Sequence, residues 1–367
     1  MPSWRESWTK VSRTFYISQL LSDILADIAV RENLISKICE NEFVCDIRKE
    51  LLELSNQEIS RQLIEGVIMK KDSLTSFLSK QRYSLRPLHN FFFTRDASIA
   101  IDDKVLIAKM ANKVREREAL IMESIFDNHP AFSTTTVNPR NIPVDTSKVT
   151  IEGGDILVAR EDILLMGTGS RTTTEGVDFM LKHLKGTGEK KHIIVQELPY
   201  EPESFIHLDM VFTFLDRDVC MVYHPIILKP NRYQTVHISV ENGKVISIKN
   251  QENLLHALRE LGMDLKPIIC GGSYDGWVQQ REQWHSGANF FAFAPGKVIG
   301  YERNVKTTEE LSKQGFEIIK ARDVIRGNVH PGDFKKCLVS IEGSELARGG
   351  GGARCMTMPL RRTSVDW

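Results

Sequence analysis

The sequence predicts an α/β protein, built of mixed α/β modules arranged about a centre with a helical module at one side. Three observations carry this. Residues 17–80 read as helix and only helix. From Phe91 onward an order of hairpin, helix and strand recurs. Adjacent glycines in Glu152-Gly-Gly-Asp155, in Cys270-Gly-Gly-Ser273 and at Gly351-Gly352 fall at comparable points of that order, a weak internal repeat. Equivalent modules would supply ligand residues from equivalent strand ends.

In the helical part, Leu20, Leu21, Ile24, Leu25 and Ile28 follow a helical spacing that Leu34 continues. Ser55-Asn-Gln-Glu58 is a capping box, opening a helix with Ile59, Leu63, Ile64 and Val67 on one face, and Leu51 and Leu52 belong to the helix before it. Beyond Phe91 the spacing predicts a strand at 105–108, a helix at 116–125 and a hairpin from 156–158 and 163–166. Thr172-Thr-Thr-Glu175 caps a helix carrying Val177, Leu181 and Leu184, followed by a strand at 192–196. Residues 210–215 and 219–223 pair across Asp216-Arg-Asp218, and 236–240 and 245–248 pair across Asn242-Gly243, a strong hairpin signal. A helix with Leu254, Leu255, Leu258 and Leu261 ends at Gly262 before a strand at 267–270. Residues 289–293 and 298–301 flank Pro295-Gly296, followed by a helix at 308–313 and a strand at 316–320.

Composition narrows the function. The 48 basic and 48 acidic residues balance, so no global field invites nucleic acid or an anionic membrane, and a charged ligand needs a local pocket. Six cysteines, at 39, 45, 220, 270, 337 and 355, form no CxxC pair and read as reduced thiols. No apolar run approaches the ~18 residues of a membrane span, and the start has no apolar signal core. The expectation is a cytoplasmic protein with no membrane partner; a homo-oligomer is allowed.

Four polar motifs can do chemistry. Arg348-Gly-Gly-Gly-Gly-Ala-Arg-Cys355 puts a thiol on a glycine loop beside guanidinium groups, which suits a nucleophile; the ordinary alternative is a tail with a buried cysteine. Phe91-Phe-Phe-Thr-Arg95-Asp96 sets an Arg-Asp pair after an aromatic run, where a surface ion pair is the plain reading. Glu152-Gly-Gly-Asp155 brings two acids to one turn, for proton transfer or as a solvated acidic turn. In His207-Leu-Asp209, period two puts both side chains on one face, as a proton shuttle or a structural pair. Nothing has zinc-site spacing, and there is no GxGxxG after a strand and no GxxxxGK[ST], so neither metal nor cofactor is expected. Gly167-Thr-Gly169-Ser-Arg171 reads as a turn before the next helix. Together, a cysteine, a histidine and several carboxylates point to a thiol attacking a planar cationic carbon, that of a guanidinium.

These residues resemble a known family. FTRD at 93–96, EGGD at 152–155, HLDMVF at 207–212, REQWHSGANFFAFAPG at 281–296, YERN at 301–304 and CMTMPL at 355–360 look like those of arginine deiminases, within the guanidino-group modifying, or pentein, enzymes. The resemblance covers roughly residue 20 to the end. It implies a five-bladed α/β propeller with an inserted helical module, divided as an irregular segment 1–16, a helical module 17–85 and a catalytic domain 86–367. It also implies hydrolysis of free L-arginine to L-citrulline and ammonia without metal or cofactor. Cys355 corresponds to the nucleophile, His207 and Glu152 to the proton-handling pair, and Asp96 and Asp209 to the guanidinium-gripping carboxylates. Asn90, Arg115 and Arg171 fall where the amino-acid end of the substrate is held. Asp155 matches a further acid of the turn, supporting the site, and Arg348, like Arg354, is assigned to substrate binding. The family has a strand–helix stretch ahead of the helical module, so the first blade is expected to be incomplete. The alternatives are a catalytically weak, truncated relic that binds arginine, a methylarginine hydrolase or an amidinotransferase.

Overall fold

The computed structural model describes residues 14–142, 145–183, 190–362 and 365. Most of the expected irregular segment at 1–16, and Leu184, lie outside these residues.

The N-terminal part is mainly helical, with helices Ile17–Ile24, Ile28–Glu42, Arg48–Leu52, Asn56–Glu65 and Leu74–Leu78. Leu20, Leu21, Ile24 and Leu25 are buried, as their spacing predicts. The stripe stops there because Asp27 starts a new helix, its carboxylate accepting the Ala29 and Val30 N–H groups. Ile28, expected on the first face, is exposed for that reason. The capping box forms as read, between Ser55 and Glu58. Val67 is not on the following helix: Gly66, at φ +88°, ends that helix and turns the chain into strand β1 (Val67–Ile68), paired antiparallel with β2 (Tyr83–Leu85). A Cβ at Gly66 would lie 2.6 Å from the Leu85 carbonyl oxygen. The region is thus not helix alone. Its apolar core continues into Ala97, Val105, Ile107 and the helix Glu116–Asn128, so it packs on the first α/β module through shared side chains.

Four α/β modules follow among the described residues. The first has β3 (Ser98–Ile101), β4 (Lys104–Ile107), the helix Glu116–Asn128 and β5 (Thr135–Val137). The second has β6 (Ile156–Arg160), β7 (Ile163–Thr168), the helix Thr174–His183 and β8 (Lys191–Glu197). The third starts with β9 (Phe212–Phe214) and β10 (Val219–Val222). A hairpin of β11 (Thr235–Glu241) and β12 (Lys244–Gln251) then leaves it and extends the second module's sheet, in the order β12-β11-β8-β7-β6. Asn242 (φ 51°) and Gly243 (φ 70°) make its turn. The third module closes with the helix Leu254–Glu260 and β13 (Lys266–Ile269). The fourth has β14 (Phe291–Ala294), β15 (Lys297–Tyr301), the helix Val305–Lys313 and β16 (Glu317–Lys320), with β17 (Cys337–Ile341) inserted between β15 and β16. In each module the first two strands pair antiparallel, and the strand after the helix is parallel to the sheet. A parallel return needs a crossover, and the helix is that crossover.

The glycine pairs do not mark the repeat. Gly153 and Gly154 lie in a 3-10 turn entering the second module, whereas Gly271 and Gly272, at φ +75° and +76°, follow the last strand of the third. What recurs is the segment leading into each module's first strand: Thr94–Ala97 before β3, Gly153–Asp155 before β6, Leu208–Met210 before β9 and Ala288-Asn289 before β14. These four entry segments carry the site.

Candidate active site

Cys355 lies after β17 and is 2% exposed. Its loop is glycine-rich mainly because neighbours crowd it. Only Gly350 has a positive φ, +83°. A Cβ at Gly349 or Gly351 would reach the Phe93 ring at 2.8 and 2.7 Å, and one at Gly352 would reach the Asn289 side chain at 2.5 Å. Arg95 pins the loop from the first entry segment: its N–H donates to the Cys355 carbonyl (3.1 Å) and its guanidinium to the Arg354 carbonyl (3.0 Å) and Thr357 Oγ1 (3.2 Å). Arg95 is thus buried, and its sequence neighbour Asp96 pairs elsewhere.

Asp96 Oδ2 accepts from Arg115 Nη1 at 2.7 Å; its Oδ1 is buried, has no hydrogen-bond partner and lies 3.7 Å from His207 Nδ1. Burial alone would push this carboxyl up, but His207 and Arg115 outweigh it and hold the group below its usual range. Arg115 is itself clamped by Glu118, at 2.7 Å from Nη2 and 3.0 Å from Nε. His207 Nε2 lies 2.9 Å from Glu152 Oε2. Burial would lower this imidazole, yet Asp96, the Glu152 hydrogen bond and Asp155 together raise it to about 9. His207 is therefore protonated at neutral pH. Glu152 is fixed from its other side, its Oε1 accepting the Ala111 N–H at 2.9 Å, and its own N–H donates to Thr172 Oγ1 at 3.2 Å.

His207 and Asp209 do share the site, but not through strand alternation. They flank and enter a 3-10 turn, Leu208–Met210, because Asp155 Oδ1 accepts the Leu208 N–H at 2.9 Å and folds the chain there. Asp155 is buried beneath that turn and does not line the cleft; burial raises it to about 7, against His207 and hydrogen bonds that lower it. Asp209 Oδ2 accepts from Arg354 Nη1 at 2.6 Å, and its two carboxylate oxygens lie 3.8 and 4.0 Å from Cys355 Sγ. Burial, then Asp209 and Asp96, push the Cys355 thiol well above the ordinary cysteine value; Arg354 lowers it by less.

A cleft of about 100 Å³ opens over these groups, lined by Asn90, Asp96, Arg115, Arg171, His207 and Cys355, with Phe93, Ile206 and the glycine loop as its apolar wall. Arg171 is a quarter exposed and lies 3.9 Å from Glu152. Arg348 is outside the cleft, an exposed side chain paired with Glu345 at 3.0 Å.

Sequence reading missed Asn289, the entry residue of the fourth module, although it lies within a quoted run. Its Oδ1 accepts the N–H groups of Arg354 (3.0 Å) and Cys355 (3.3 Å). That fixes the amide's orientation and leaves Nδ2 to donate to Cys355 Sγ (3.2 Å) and the Asp209 carbonyl (3.1 Å). The only available signal was its place just ahead of a hairpin, equivalent to Asp96, Asp155 and Asp209. Asp96, Glu152 and His207 present ligand atoms within 4.8 Å of one another, enough for a metal by distance. In this arrangement the imidazole is held protonated between the two acids, which is acid–base rather than ligand geometry.

A buried thiol beside a protonated imidazole and three carboxylates is the constellation of a nucleophilic enzyme for a small planar cation. Comparison with known proteins is specific. Residues 12–362 match the arginine deiminase family. An arginine deiminase of Bacillus thuringiensis subsp. konkukian is 31% identical over 373 residues, covering 95% of this chain and 84% of that protein. One from Listeria innocua serovar 6a is 32% identical over 368 residues, covering 95% and 83%. Among solved structures, unliganded AgrE aligns with 17% identity and a TM-score of 0.47 over 74% of this chain and 31% of that one. A cysteine-to-serine mutant of DDAH from Pseudomonas aeruginosa, complexed with citrulline, aligns with 16% identity and a TM-score of 0.44, over 75% and 79%. The chain belongs to the arginine deiminase family.

Proposed function

We propose that the chain hydrolyses free L-arginine to L-citrulline and ammonia through a covalent thiouronium on Cys355. The observation that carries the reading is the pair of half-occupied carboxylates. Asp96 and Asp209 each have one oxygen held by a protein arginine, which fixes the carboxylate; Asp96 Oδ1 is buried and unpartnered, and Asp209 faces the thiol. An unsatisfied buried carboxylate oxygen is costly, and a substrate guanidinium bridging the two acids would satisfy it with its carbon at Cys355.

As the guanidinium binds, the thiol gives up its proton to solvent, and the thiolate attacks that carbon. His207, held protonated, gives its proton to the departing amino group, which leaves as ammonia. The now neutral imidazole takes a proton from water as the water attacks the thiouronium. Collapse breaks the C–S bond and releases citrulline, the hydroxyl proton of the adduct passing to the departing sulfur, which restores the neutral thiol and the charged imidazole. Glu152 holds the ring throughout. No oxyanion hole is needed, because the reactant enters as a cation and the fixed carboxylates supply the electrostatics. In the empty site burial and two carboxylates oppose the thiolate, so the substrate cation itself promotes ionisation; a thiol pKa at or below about 7 without substrate would refute this. Asn90, Arg115 and Arg171 line the end of the cleft where the amino-acid part would sit, and Arg171, the least committed of the arginines there, is the charge for its carboxylate. Asp155 supports the turn, and Arg348 acts at most on the approaching substrate.

The same reading takes the four modules as blades of a five-bladed propeller, with the helical module 17–85 set against the catalytic domain 86–367. It places the protein in the cytoplasm, supported by six free thiols. No helix among the described residues is long and apolar enough to cross a membrane. The test is citrulline and ammonia release from L-arginine by the chain beside Cys355→Ala. Stoichiometric release lost in the variant supports the proposal; a folded chain that binds arginine and releases nothing is the relic.

A further inference from the structure

A second polar cleft lies on the five-stranded sheet and shares no lining residue with the catalytic one. Strands β8, β11 and β12 bring His192, His237 and Ser239 together. His192 pairs with Ser239 across β8 and β11, and on β12 Ser247 and Lys249 stand opposite Ser239 and His237. Strand alternation puts residues 237, 239, 247 and 249 on one face. His192 Nδ1 and His237 Nε2 are 2.8 Å apart, and Ser239 Oγ is 3.5 Å from each. The three are only 9%, 9% and 5% exposed. Above them opens a cavity of about 430 Å³, rimmed by Lys190, Lys249, Ser247 and, at the end of the helix Leu254–Glu260, Glu260.

Packing does not account for this trio. Ile194, also on β8, lies in an apolar core with Leu254 and Leu258, so the same region of the fold is built to bury hydrocarbon. Polar groups sunk at the base of an open cavity are costly unless they meet a partner. The hydrogen bond between the rings uses one nitrogen of each and leaves His192 Nε2 and His237 Nδ1 for others.

We propose that this cleft binds a small oxyanion, inorganic phosphate or the phosphate of a monoester, held by the Lys190 and Lys249 ammonium groups, the Ser239 and Ser247 hydroxyls and the imidazole pair. Charge decides against a metal ion. Paired imidazoles are common ligands, but two ammonium groups guard this mouth, and the one acid on the rim, Glu260, already accepts from Gln251 at 2.9 Å. Burial first, then His237 and Lys190, holds His192 below its ordinary value; burial, then Lys190 and Lys249 against Glu260, does the same for His237. Lys190, Lys249 and Arg160 face the pair as cations, and Asp162 and Glu260 as anions. An arriving anion favours the charged imidazole, so binding takes up a proton.

The test is calorimetric titration of the full chain with sulfate, inorganic phosphate and glycerol phosphate between pH 8 and 6. Sulfate keeps its charge over that range, so its pH dependence reports the protein's proton. The expected result is saturable binding that does not compete with arginine, with sulfate affinity rising by up to about tenfold per pH unit as pH falls. The Lys190→Met/Lys249→Met double variant, altered only at exposed side chains, loses at least about tenfold in affinity, and His192→Gln flattens the pH slope. Tighter binding of glycerol phosphate than of phosphate identifies an esterified ligand, and the reverse a free one. Unchanged affinity in the double variant, competition with arginine, or Zn²⁺ binding with no anion binding each overturns the proposal.

Discussion

Replacing Asn289 by Asp separates the two roles its amide plays. The substitution keeps an oxygen where Oδ1 accepts the Arg354 and Cys355 N–H groups, so the loop stays anchored. It removes the N–H groups donated to Cys355 Sγ at 3.2 Å and to the Asp209 carbonyl at 3.1 Å, and sets a third carboxylate near a thiol already opposed by Asp209 and Asp96. A hydrogen bond to a charged acceptor contributes about 1.5–3 kcal/mol, and one pKa unit corresponds to about 1.4 kcal/mol. The thiol pKa should therefore rise by roughly 1–2 units from loss of the donor, and further from the new charge if that stays ionised. The assay is the pH dependence of iodoacetamide alkylation at Cys355 in Asn289→Asp, Asn289→Ala and the unaltered chain, with kcat and KM for arginine. The expectation is a kcat loss of about 10²-fold or more with a smaller change in KM. An alkylation profile that does not move in either variant refutes the idea that the amide stabilises the thiolate. A thermal midpoint that falls in Asn289→Ala but holds in Asn289→Asp confirms that anchoring and activation are separate.

Gly154→Ala puts a Cβ 2.5 Å from His207 Nδ1 and 3.0 Å from Asp96 Oδ1, so the ring must retreat by about 0.9 Å to reach ordinary contact; activity should fall about 10²-fold, read as citrulline release from a still cooperative fold. Arg348→Ala removes only an exposed pair with Glu345, so stability should change by less than about 0.5 kcal/mol, and kcat should hold, with any effect confined to KM. His207, raised from 6.5 to about 9, binds its proton more tightly in the folded state, so its stabilisation is complete below pH 6.5 and lost as pH rises through 9. Thermal midpoints should decline over that interval, and His207→Gln should flatten the decline.

Much of this was legible because short-range signals coincide with the fold: the Ser55 capping box, the Asn242-Gly243 turn and the Gly262 stop all form. Errors arose where tertiary contacts override local pattern. Val67 continues a helical stripe on paper but pairs with Leu85, because Gly66 turns the chain into that ribbon. His207 and Asp209 read as alternating strand residues, yet a buried Asp155, 53 positions away, folds them into a turn. The strand β17 went unread, and it is the one inserted between β15 and β16, the two strands that the fourth module's helix links. Asn289 shows the limit most plainly, since its partners at 209, 354 and 355 become neighbours only when the third and fourth modules and the cysteine loop meet.

The charges of the site follow one logic. Three carboxylates are almost wholly buried, which a fold tolerates only with compensation. Each has a cation from the chain itself: Arg115 for Asp96, His207 for Glu152 and Arg354 for Asp209. Arg354, the cation beside the sulfur, is already taken by Asp209, and Cys355 is held as the neutral thiol. A thiolate becomes tolerable when another cation enters between Asp96 and Asp209, and in this reading that cation is the reactant. The nucleophile is thereby quiet without its substrate, and the buried acids that would otherwise be a burden on folding make it selective for a guanidinium.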